Sequence, residues 1–362
     1  MNPKDLYYWT AQILTLDECP NGRKAIIASI SGNKIPFEDL IKLCDRNYII
    51  PAIYLKLEKH NLLSYFPDEY AGLLEHIYVL NKQRNQLILE QITQINQVLK
   101  EENILPVYLK GTAHLLDNLY SDTGERMMGD IDFLVSNKDF FKTAGLLLKM
   151  GYEKQYELYD NISNFIHYPP LYHASVPANV EIHRIPVVPE FAAQFSTDLV
   201  FSEKKKIRQK ENCYVPSDTH KITHNFIHSQ LSHRGYLYKS NSLRDLYDLY
   251  LLFLRRNSAT LPALHCHKHR NKMKGYFAFA SQVFHSNKTE KKCFNQDANR
   301  HVYICNLLLK YPLLKETLKQ VLDLFQTLLR HYPKRIKKLI LQKKYRKYLL
   351  NKKKTFRPAT FT

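Results

Sequence analysis

The chain has 362 residues, 44% of them hydrophobic. That is too apolar for disorder throughout and long enough for two domains, or for one catalytic core with helical additions. Six cysteines without a C-x-x-C pair exclude a disulfide framework and fit reduced thiols in a cytoplasm. The formal net charge of +19 is unevenly spread: 13 basic and no acidic residues lie between Arg330 and Arg357, leaving 40 basic against 34 acidic elsewhere, or +6. A nucleic-acid-binding body is therefore not implied, only a basic tail.

The opening "MNPKDLYYWTAQILTLDE" lacks the basic start and apolar run of a signal peptide. No segment approaches the roughly 18–20 apolar residues that span a bilayer. Residues 1–100 read as a helical region, punctuated by Pro20, Pro51 and Pro67, with Leu87, Ile88, Ile92, Ile95 and Leu99 forming one apolar stripe. "ILPVYLKG" predicts a strand ended by Gly111, and "TAHLLDNLY" a helix just after it. "DIDFLV" predicts a second strand. Ser136 and Asp139 give an S-x-x-D start for a helix over 138–150, stopped by Gly151. "NFIHYPPLYHASVPANVEIHRI" reads as short strands, and the chain turns helical again from Ser217. The expected organisation is a helical region to residue 100, an α+β core over 101–215, a second helical region over 216–332 and a basic tail over 333–362.

Asp130 and Asp132 stand two apart on a strand and so share a face, while Ile131, Phe133 and Val135 share the other. Two carboxylates so close repel unless a cation neutralises them. A hard divalent ion such as Mg²⁺ takes one or two carboxylates plus substrate phosphates. The bland alternative is a surface turn with both acids solvated. Upstream, Gly111-Thr112 lies between a strand and a helix, where free backbone N–H groups and the helix dipole suit a phosphate. Glycine there permits close approach.

The run "LKGTAHLLDNLY…ERMMGDIDFLV" resembles the nucleotidyltransferase superfamily, and within it the bacterial family of uncharacterised nucleotidyltransferases. The matching elements are Lys110-Gly111, Tyr120, Arg126 and Asp130-Ile131-Asp132. "NYIIPAIYLKLEKH", "NKQRNQLILEQI", "VEIHR" and "SLRDLYDL" extend the resemblance across most of residues 1–255. Thr112 stands where Ser or Gly is usual and still offers a hydroxyl. Residues 113–129 make a long spacer to Asp130. The resemblance implies a mixed sheet core with helical flanks, and one or two Mg²⁺ held by Asp130, Asp132 and a third carboxylate. Glu181 in "NVEIHRI" is the candidate for the third, against the plainer reading of a solvated edge-strand glutamate. It also implies an NTP, with ATP the expected donor, steadied by Lys110, Gly111, Thr112 and Arg126. Neutralising Asp130 or Asp132 is expected to abolish transfer while relieving repulsion, so stability should hold or rise slightly.

His183 shares a face with Glu181 and is a possible accessory group. Arg244 and Asp245 in "SLRDLYDLYLLFL" are further accessory candidates, by similarity to abortive-infection nucleotidyltransferase toxins. The plain reading there is a solvated face with an Arg244–Asp248 pair. His220, His224 and His228 form a helical stripe that reads as a partly buried polar face before a metal site. "HCHKH", from His265 to His269, with Cys293 lacks a second ligand pair at a recognised zinc spacing. The expected activity is Mg²⁺-dependent transfer of NMP to an unidentified acceptor. Two alternatives stay open: a toxin-like enzyme acting on tRNA, and a non-catalytic protein binding membrane or nucleic acid through its tail.

Overall fold

The computed structural model describes residues 1–19, 21–156, 166–208, 210–256, 267–285 and 295–327. Residues 1–310 form one compact unit and the chain from Tyr311 another. Pro20, Cys293 and the basic tail lie outside the described residues, as do His265 and Cys266 of "HCHKH".

The chain opens with helices α1 (Pro3–Leu14), α2 (Gly22–Ser31), α3 (Phe37–Arg46), α4 (Ile50–Lys59) and the long α5 (Asp68–Glu101). Asn2 caps α1 by accepting from the Asp5 N–H, with Pro3 in its first turn. Pro51 sits in the first turn of α4, where its missing N–H costs nothing. Pro67 precedes α5. The buried stripe of α5 runs from Leu74 through Asn81 and Asn85 to Ile88, Ile92, Ile95 and Leu99; Leu87 is exposed, one position off that stripe.

Next come β1 (Val107–Tyr108), α6 (Lys110–Leu116), β2 (Asp130–Leu134), α7 (Phe140–Lys149), β3 (Glu153–Lys154), β4 (Leu171–Tyr172) and β5 (Asn179–His183). Then follow α8 (Thr197–Ser202), β6 (Lys205–Lys206), β7 (Tyr214–Val215), α9 (Asp218–Phe226), α10 (Gly235–Tyr238), α11 (Leu243–Arg256), α12 (Arg270–Val283) and α13 (Gln296–Lys310). The second unit contains α14 (Pro312–Gln326). Gly111 does not end the first strand: α6 starts one residue earlier, at Lys110, whose φ of 48° makes the turn. Ser136 bonds the Asp139 carboxylate rather than capping α7 through its backbone.

The strands form one mixed sheet in the order β3-β4-β5-β2-β1-β7-β6. Helices flank it, so the fold is α+β. β1 runs antiparallel to β2, pairing Val107 with Leu134 and Tyr108 with Phe133. β2 and β5 run parallel, placing Asp132 beside Glu181 and Leu134 beside His183. Strand alternation then sorts the side chains. Ile131, Phe133, Val180 and Ile182 bury one sheet face against Ile88, Ile92 and Ile95 of α5 and Phe140 and Leu147 of α7. The acids of β2 and β5 take the opposite face, which lines a cavity with residues of α6, α9 and α11. No helix among the described residues is long and apolar enough to cross a membrane.

Candidate active site

The cavity is about 700 Å³, the size of a small-ligand site. One wall is the β2–β5 seam. Ligand atoms of Asp132, Glu181 and His183 lie within 4.8 Å of one another. His183 Nε2 is 2.8 Å from Asp132 Oδ1 and 3.4 Å from Glu181 Oε2. Asp130 lines the same wall, half-buried, across from Asn179.

A cation already reaches into this cluster. Lys110 Nζ is 2.5 Å from Asp132 Oδ1 and 3.7 Å from Glu181 Oε2. Burial opposes the Lys110 charge, but Asp132 outweighs it and raises the ammonium's pKa. Burial likewise opposes ionisation of Asp132, yet Lys110 and the hydrogen bond to His183 hold it well below the usual carboxylate range. Asp130 has no such close partner among the described residues: burial, then the charges of Glu181 and Asp132, raise its pKa against the lesser opposing charges of Lys110 and Arg84. The two aspartates are thus unequal. Asp132 is buried and paired, so its neutralisation should cost stability, contrary to the sequence-based expectation of relief at both positions.

Thr112 is fully buried and its hydroxyl is engaged with β2, accepting from the Asp132 N–H at 3.1 Å and donating to the Asp130 carbonyl at 3.3 Å. It fastens the acid-bearing strand to α6. Arg126 is buried as well. Its Nε and Nη2 donate to Asp248 Oδ1 and Oδ2 at 2.9 and 2.8 Å, and its Nη1 to the Met127 carbonyl at 3.3 Å. Gly111 makes room for it: a Cβ there would stand 2.2 Å from Arg126 Nη1. The Tyr120 hydroxyl also donates to Asp248 Oδ1. Arg126 holds the Asp248 carboxyl well below the usual range against the effect of burial.

The anticipated Arg244–Asp248 pair does not form, because Arg126 takes Asp248. Arg244 instead lies over the Tyr48 ring at 5.1 Å, with Nε 3.6 Å from Asp245 Oδ1. Burial raises the pKa of Asp245. Both residues line the cavity. His224 and His228 line it too, on α9 and the π-helical segment Ile227–Ser232 that continues it. Burial pushes the His228 imidazole down to about 3, helped by the Lys110 charge, so it is neutral at ordinary pH.

Sequence reasoning missed the framework behind the acidic wall. Asn81 and Asn85 of α5 donate to the carbonyls of Gly124, Thr123 and Arg126. Arg84 donates to the carbonyls of Met128, Gly129 and Pro177. One helix therefore holds both the loop leading into Asp130 and the entry to β5. The available signal was two asparagines on the apolar stripe of α5, since buried polar groups need partners.

The mixed α+β sheet thus carries clustered carboxylates on adjacent parallel strands, open to a cavity, and with them a candidate metal site. The family model described as uncharacterised nucleotidyltransferase matches residues 33–284, and the chain belongs to that family. It is accordingly a nucleotidyltransferase. No curated protein matches the chain, and no solved structure does.

Proposed function

We propose that the protein transfers an NMP group from an NTP, with ATP the expected donor, to a hydroxyl of an acceptor, using Mg²⁺ held by Asp130, Asp132 and Glu181. The observation that carries this reading is the close set of Asp132, Glu181 and His183 with the Lys110 ammonium seated against both carboxylates. Oxygen-rich donors that gather around a cation fit a hard divalent ion. When bound, that ion supplies charge neutralisation for the triphosphate and polarises its α-phosphoryl oxygen.

The chain's own residues do the positioning. Thr112 fixes the height of β2, and the parallel β2–β5 register fixes Glu181 against Asp132. Lys110, once its two carboxylates take another partner, is free to meet phosphate oxygens across the same short distance. Arg126 and Asp248 brace the Gly111 turn from behind. In the reaction an acceptor oxygen forms its bond to the α-phosphorus as the bond to the β-phosphate oxygen breaks. Pyrophosphate leaves, and the acceptor's proton passes to a carboxylate of the acidic wall.

Incubation with α-³²P-labelled NTPs and a lysate fractionated into RNA, protein and small molecules tests this. Label should enter one fraction, require Mg²⁺ and disappear with Asp132→Asn. Undiminished labelling by that variant would remove the acidic wall from the reaction.

A further inference from the structure

Taken by itself, α14 is sharply two-faced. At 3.6 residues per turn, Leu313, Leu314, Leu318, Val321, Leu324 and Phe325 fall on one half of its circumference. Lys315, Glu316, Lys319, Gln320, Asp323 and Gln326 fall on the other. None of its side chains is buried; Leu313, Leu324 and Phe325 are 86%, 61% and 59% exposed. The polar half is electrically neutral, two lysines against Glu316 and Asp323. The charge comes next in the sequence, as the 13 basic residues between Arg330 and Arg357 without a single acid.

The two features together restrict the occupant. An apolar half-helix requires an apolar phase, and the segment that follows requires dense negative charge. RNA supplies charge but no apolar phase. A second copy supplies an apolar face but sets another 13 positive charges beside the first, which repel. An anionic bilayer offers both at once: an acyl boundary for the helix face and a negative surface potential within a Debye length of it. The helix is about 22 Å long at 1.5 Å per residue, too short to span and suited to lying in the interface plane.

We propose that α14 is a peripheral attachment site for an anionic lipid surface, its apolar half entering the headgroup boundary, while the basic residues that follow in the sequence supply the attraction to anionic lipid. Neither half suffices, since stable attachment takes two such signals. This inference stands independently of the catalytic reading.

Flotation of the full chain with phosphatidylcholine vesicles, with and without phosphatidylglycerol, tests it. Binding should require phosphatidylglycerol, weaken with salt, and fall about tenfold or more in a Leu318→Asp/Phe325→Asp variant, because a charge entering the boundary is costly. Amide hydrogen exchange of the wild type should show residues 312–326 gaining protection only on the anionic vesicles, a readout that needs no variant to fold. Equal flotation of the variant and the wild type would overturn the role of the helix. Absence of wild-type flotation would overturn the proposal outright, whether the chain then bound tRNA or formed a dimer broken by the two aspartates.

Discussion

Arg126 and Asp248 face each other through two parallel hydrogen bonds of 2.9 and 2.8 Å although 122 positions separate them in the chain. Both are buried, so each charge relies on the other as its counter-charge. Asp248→Asn leaves a buried guanidinium without its counter-charge and is expected to lower stability by about 3–5 kcal/mol. Arg126→Lys does not rescue the geometry, because an ammonium cannot reproduce the two-pronged contact. Urea unfolding of the two variants checks this; a loss near zero for Asp248→Asn would show that the pair is not maintained in solution.

Two glycines of the site region make a matched test of packing. A Cβ at Gly111 would collide with Arg126 Nη1 at 2.2 Å, and Asp248 prevents the guanidinium from retreating. Gly111→Ala should therefore cost about 1–3 kcal/mol, the usual range for forcing atoms into a filled space, and disturb the Lys110 turn with it. Gly129, one residue before Asp130, has nothing within 4 Å of its would-be Cβ. Gly129→Ala should leave the melting temperature nearly unchanged. Melting curves for the pair that coincided would contradict the packing described.

Lys110 competes for the place a divalent ion would take. With Nζ at 2.5 Å from Asp132 and 3.7 Å from Glu181, its ammonium must be displaced before both carboxylates can bind metal. Lys110→Gln is expected to tighten Mn²⁺ binding by about tenfold in the absence of nucleotide, equivalent to about 1.4 kcal/mol of removed competition. The same variant should slow transfer, since the lysine is then missing from the phosphates. Calorimetry with Mn²⁺ alone separates the two effects; weaker Mn²⁺ binding by the variant would refute the competition.

Acid should destabilise the fold through histidines buried in neutral form. Burial pushes His114 down to about 4, against an ordinary value of 6.5, and His301 down to about 3. The unfolded chain then binds more protons than the native one below about pH 6.5, so stability falls as pH drops from there and levels out below each folded value. For His114 the loss by about pH 4.5 is on the order of 2 kcal/mol. Replacing His114 with Gln should flatten that part of the curve. Unfolding free energies between about pH 7.5 and 4.5 give the comparison; identical slopes for variant and wild type would exclude His114 as a cause.

The sequence by itself determined the strand alternation of "DIDFLV" and "NVEIH". Ile131, Phe133, Val180 and Ile182 had to be buried together, which forced Asp130, Asp132, Glu181 and His183 to the opposite face. It also determined the helical flanks, through apolar periodicity and proline placement, and the family, through the Lys-Gly turn and the Asp-Ile-Asp strand. Only the tertiary structure decided how the polar groups are partnered. Partner choice depends on distances between segments far apart in the chain, and periodicity carries no information about those. Hence Asp248 belongs to Arg126 and not to the nearby Arg244, the Thr112 hydroxyl to β2, and the buried asparagines of α5 to the loop before Asp130. Gly111 shows the same division within one residue. From the sequence its missing side chain suggested room for a phosphate, whereas the group beside it is the Arg126 guanidinium, set by a loop and a helix that meet only in the folded chain.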